Sequence, residues 1–159
     1  MKWDGTIMAE FHYNTWIYSN SGPNALDFNS WNYITITLEN GGYGTGTVKY
    51  YTNGELSSSM LGQMANNEST NYAMIGANTG AYHGGIQSSN PFIGEVDNVQ
   101  IWNTALSQSE IQNYMNCSPT GSESGLVGYW NFEQGSGTTA YDQTVNGNNG
   151  TINGATYDT

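Results

Sequence analysis

The chain has 159 residues, enough for one domain whose core needs no metal or disulfide support, because a domain near that size buries roughly 70% of its unfolded surface. Thirteen acidic residues stand against two basic ones, Lys2 and Lys49, for a formal net charge of −11. That balance repels a phosphate backbone and an anionic membrane surface, so it argues against nucleic-acid and membrane partners and favours bound cations.

The opening stretch MKWDGTIMAEFHY lacks the apolar run of a secretory signal, and no stretch approaches the roughly 20 apolar residues of a membrane span. If the protein is exported, its signal lies elsewhere and this chain is one module of something longer. Residues 6–18 are aromatic and β-branched with loose alternation, which predicts one or two strands. SNSGPN at 19–24 is a turn. WNYITITL at 31–38 alternates clearly; Ile34, Ile36 and Leu38 fall on one face and are expected to form core. A Gly-dense loop at 39–46 returns the chain to TVKYYT at 47–52. Asn53-Gly54 is a strong hairpin signal, since both central residues of a type I′ turn need positive φ. Residues 55–60 return from it, and 72–76 read as a short strand ended by glycine. Residues 77–90 form a long loop holding Tyr82 and His83, of a length that is often functional.

Residues 91–115, PFIGEVDNVQIWNTALSQSEIQNYM, organise the chain. Val99 and Ile101 share one strand face and Trp102 takes the other; Val96 rejoins the first face only if a bulge falls near Asp97–Asn98. Ser107 three residues before Glu110 is a capping box, and Leu106, Ile111, Tyr114 and Met115 follow helical spacing, so one short helix is expected near 107–115. Cys117 is the one cysteine, which leaves two readings: a buried apolar thiol, or half of a bridge to a segment outside this chain. After a linker-like stretch at 116–124, residues 126–132 form an apolar strand, and 151–157 suggest a short strand around an Asn153-Gly154 turn.

The pairing of PFIGEVDNVQIWNTALSQSEI with GLVGYWNFEQGSGTTAYDQTVNGNNGTINGATY, together with WNYITITLENG and TVKYYTNGEL, resembles the laminin-G-like, concanavalin A-like jelly-roll family and its pentraxin relatives. The resemblance covers roughly residues 31–157 and implies an all-β fold of two antiparallel sheets packed face to face, a β-sandwich, over a single domain spanning 1–159. Residues 125–157 resemble the beginning of a family domain yet come last, as in a circular permutant or at the start of a next repeat. In either account 126–132 is expected to pair in cis with 96–102, since an unpaired apolar edge is adhesive.

Some enzymes on this fold use a Glu-x-Asp-x-x-Glu or Glu-x-Asp-x-Glu strand. Glu95-Val96-Asp97 begins that pattern, and Val99 or Gln100 stands where the last carboxylate is needed. An amide cannot donate the acid's proton, so no catalytic residue is assigned unless Glu10 or Glu133 reaches Glu95. Asp97 shares the Val99 face, which points it inward, either as a carboxylate satisfied by backbone amides or as a cation ligand. Asp142 with Asn146, Asn148 and Asn149 is the other calcium candidate: calcium takes carboxylate, amide and carbonyl oxygens, and some relatives hold it at the sandwich rim. The competing reading gives Asp142 an Asx-type bond to its own loop. Tyr43, Tyr82 and His83, in Gly-rich loops, are the candidates for stacking on a sugar. The resemblance thus implies a non-catalytic extracellular or cell-surface module that binds glycan or a protein surface, assisted by calcium; a structural or adhesin spacer without its own ligand is the alternative, and a glycoside hydrolase the remote one.

Overall fold

The computed structural model describes residues 8–13, 15–22, 25–42, 45–62, 74–76 and 92–158. They fall into two compact units, Met1–Asn67 with Trp102–Gly125, and Glu68–Ile101 with Leu126–Thr159. Every strand pairing of known direction among the described residues is antiparallel.

In the first unit, β1 (Met8–Tyr13) and β2 (Thr15–Asn20) form a hairpin, and β3 (Ile34–Gly42), β4 (Thr45–Thr52) and β5 (Glu55–Gly62) form a meander with β4 in the middle. The turn joining β4 to β5 has the predicted geometry, with φ of 53° at Asn53 and 78° at Gly54. Asn53 also ties the turn to the entrance of β3: its amide donates to the Tyr33 carbonyl at 2.8 Å and its Oδ1 accepts from the Tyr33 amide at 2.9 Å.

The face expected to be core is covered at its centre and open at its edge. Ile34, Ile36 and Leu38 pair with Thr52, Tyr50 and Val48, and paired residues share a face. Val48 and Tyr50 on the middle strand are fully buried, whereas Ile34 and Ile36 on β3 are 45% and 43% exposed. The opposite face, which was not expected to be core, holds buried Tyr51 and Thr37. Tyr51 is buried by α1 (Gln108–Asn116), whose Ile111, with Leu106 just ahead of the helix, packs on it, flanked by Tyr33, Trp102 and Tyr114.

The capping box forms as expected: Glu110 Oε2 accepts from the Ser107 amide at 2.7 Å, and Ser107 Oγ accepts from the Glu110 amide at 3.4 Å. These bonds to Ser107 hold the Glu110 carboxyl below its ordinary range. The helix is fastened to the β4–β5 turn as well. Gln112 Nε2 donates to the Gly54 carbonyl (3.2 Å) and to Glu55 Oε1 (3.0 Å), and Gln108 Nε2 donates to Glu55 Oε2 (3.0 Å). The Trp102 and Tyr114 rings lie 4.8 Å apart, and burial pushes the Tyr114 hydroxyl up from its usual pKa. Cys117 caps the helix, donating its amide to the Asn113 carbonyl at 2.8 Å; its thiol is exposed, which removes the buried-thiol reading.

β6 (Val99–Trp102), which belongs to the second unit up to Ile101, pairs with β7 (Leu126–Trp130), the pairing in cis that the sequence led us to expect. The strand starts later than expected. Residues 92–98 are irregular, and Asn98 is left-handed at φ 52°, so no bulge brings Val96 onto the Val99 face, and Val96 is 40% exposed. Residues 74–76, part of the strand expected at 72–76, form no strand. The C-terminal strand also differs: β9 (Gly150–Thr151) pairs with β8 (Thr139–Ala140) rather than turning back at Asn153-Gly154.

Candidate functional site

Asp142 sits in the loop that follows β8. Its Oδ1 accepts from the amides of Tyr129 (3.0 Å) and Thr144 (2.9 Å), and its Oδ2 from the Asn148 amide (2.8 Å) and the Thr144 hydroxyl (2.9 Å). A carboxylate offers about four acceptor sites, and all are used. Burial pushes its pKa up, but the bonds from Tyr129, Thr144 and Asn148 outweigh burial and hold it below the ordinary value. Asn149 joins by accepting the Asp142 amide at 3.0 Å, and Asn146 and Asn148 each donate a side-chain amide to the Val127 carbonyl at 2.9 Å. The Gln143 amide reaches the Tyr129 carbonyl at 2.7 Å. Val127 and Tyr129 lie two apart and turn their backbone groups to the same edge of β7, so this loop takes the place of a neighbouring strand.

The four residues predicted to converge on calcium do converge, but around hydrogen-bond donors. Calcium takes six to eight oxygens, and a cation at Asp142 would have to compete with the four donors its carboxylate now holds. Among the described residues no three His, Cys, Asp or Glu side chains cluster as a metal group. Asp97 does not point inward: it is exposed and accepts from the amide and the side chain of Asn98, at 2.8 and 3.0 Å, because the strand phase that would have turned it begins only at Val99. Tyr43, Tyr82 and His83 lie outside the described residues.

The second unit also holds an open cleft of about 370 Å³. Phe92, Gly94 and Glu95 line it together with residues 154–158. The Phe92 ring, 55% exposed, lies over Gly94 so closely that a Cβ there would come within 2.9 Å of it. The Phe92 amide donates to the Gly76 carbonyl at 2.9 Å, which fixes the residue from behind. Tyr157, also in the lining, is half-buried, its hydroxyl 3.0 Å from Gln134 Oε1 and 3.3 Å from the Thr139 carbonyl. Glu95 and Asp158 are exposed and add two carboxylates to the walls. The sequence alone marked Glu95 only as half of a failed catalytic pair and Tyr157 only as strand. The sequence did not single out Phe92 or Asp158 as lining a cleft, because nothing local shows that residues 92–95 and 154–158 meet.

The described residues define a mostly-β class, antiparallel sheets with one capped helix among them. The chain belongs to the concanavalin A-like lectin/glucanases superfamily, whose model matches residues 2–112. The match starts well before the first residue that carried the resemblance and ends within α1, leaving β7 to β9 outside it. No curated protein and no solved structure matches the chain.

Proposed function

We propose that this chain is a non-catalytic binding module for carbohydrate on an extracellular or cell-surface protein, folded as the family's two-sheet jelly-roll sandwich. The single observation that carries the reading is the Phe92–Tyr157 cleft, where an exposed aromatic face stands beside two carboxylates. Sugars are held by that combination: the flat C–H face of the ring packs on an aromatic while its hydroxyls donate to acceptors. Membership of a superfamily of lectins and glucanases supports the same reading. Absence of catalysis rests on Val99 and Gln100, which stand where a glucanase strand carries its second carboxylate. The C-terminal segment 125–157 belongs, in this reading, to the same module, as a permuted opening strand or the start of a next repeat.

Calcium enters only through a rearranged Asp142 loop, in which the donors now on the carboxylate give way to the ion. The spacer reading draws on the same loop, because its residues are spent on holding β7. A glycan array probed in calcium separates the two. We expect binding to a restricted set of glycans, lost in Phe92→Ala; a blank array would leave the spacer.

A further inference from the structure

We infer that Asn153 is a site of spontaneous deamidation: the fold leaves its side chain open to attack by the next glycine while it pins the other described Asn-Gly pairs. The inference is independent of what the Phe92–Tyr157 cleft binds.

Asn-Gly is the pair that favours this covalent change, because no side chain shields the glycine amide. The Gly154 nitrogen attacks Asn153 Cγ. The Cγ–Nδ2 bond breaks, and the displaced nitrogen takes the glycine proton and leaves as ammonia. Water then opens the cyclic imide at either carbonyl, giving aspartate or, with the chain rerouted through the side chain, isoaspartate. Either product puts a new carboxylate next to Gly154, which lines the cleft.

The chain holds five Asn-Gly pairs, beginning at residues 40, 53, 146, 149 and 153. The side chain of Asn40 is not among those described. Three of the other four are held. Asn53 Oδ1 accepts from the Tyr33 amide at 2.9 Å, and Gly54 is buried against Gln112. Asn146 Nδ2 donates to the Val127 carbonyl at 2.9 Å, and Asn149 Oδ1 accepts from the Asp142 amide at 3.0 Å. Gly150 is also paired with Ala140 in the β8–β9 ladder. Attack needs the side chain to swing onto the next amide in a near-attack geometry, so each of these must first release its bond. Asn153 has nothing to release: among the described residues no hydrogen bond holds its side chain or the Gly154 amide. Both residues are exposed, and a Cβ on Gly154 would meet nothing within 4 Å.

The test ages the full chain at mildly alkaline pH, folded and in urea, and follows each pair by mass spectrometry of peptic fragments cut at acid pH. In the folded chain Asn153 is expected to lose its amide about two- to tenfold faster than Asn53, Asn146 or Asn149, the range that one hydrogen bond sets. In urea the four rates are expected to converge, because the bonds that separate them are gone. Asn153→Ser, an exposed change, is expected to remove the fast phase of ammonia release from the folded chain. Asn153 reacting no faster than the three pinned residues would overturn the inference. A lead of the same size in urea would overturn it as well, since the local sequence and not the fold would then set the rate.

Discussion

Asp142 shows how one side chain can hold a local fold. Its carboxylate gathers amides from β7 and from its own loop, so removing it leaves the Tyr129, Thr144 and Asn148 donors without their acceptor. Bonds to a charged acceptor contribute about 1.5–3 kcal/mol each, and partial exposure with water replacement reduces the sum. Asp142→Ala is therefore expected to cost about 2–3 kcal/mol in denaturant unfolding. The pH dependence has a definite sign. The folded carboxyl titrates below its unfolded value, so between the two the unfolded chain binds more protons and stability rises with pH. This contribution is fully present above the ordinary aspartate pKa and is lost as pH falls through the depressed folded one. The wild type should accordingly lose stability more steeply than Asp142→Ala below about pH 4, and parallel acid profiles would contradict the role given to the carboxylate.

Among the elements, the coupling of α1 to the β4–β5 turn is the feature most open to test. Gly54 is left-handed at φ 78°, and a Cβ there would meet Gln112 Cγ at 2.8 Å. Gly54→Ala thus combines backbone strain with displacement of Gln112, and about 1–2 kcal/mol of destabilisation is expected, read as a lowered melting temperature. That turn and the helix were the most legible parts of the sequence, because Asn53-Gly54 and Ser107…Glu110 are local chemistry that needs no tertiary knowledge. The Ile34/Ile36 face was half legible. Alternation sorts side chains onto faces, but it does not tell an edge strand from a middle one, and exposure at β3 follows from that position. The Asp142 loop was legible as a cluster, and its chemistry was not: Asn and Asp in a Gly-rich run serve as cation ligands or as backbone acceptors, and the choice depends on which edge the loop meets. The cleft was hidden altogether, since its lining comes from both of the second unit's separate chain segments.

On the scale of the whole molecule, charge and family set the expectations. A chain at −11 attracts divalent cations in general, so a modest change in melting temperature with calcium would not locate a site. Binding at Asp142 has a specific signature: millimolar calcium raises the melting temperature of the wild type relative to chelator, and Asp142→Ala abolishes the rise while magnesium fails to reproduce it. No shift in the wild type would take calcium out of the proposed function. The family match ends within α1, so it covers neither β7 nor its loop.

The way the 142–149 loop covers β7 has a consequence for handling and evolving this protein. A version shortened after Ala140 would keep β7 but strip the caps from Val127 and Tyr129, presenting a row of bare peptide groups beside apolar side chains. Such a row recruits like rows from other copies, so the shortened chain should turn turbid and seed fibres at concentrations where the intact one stays clear.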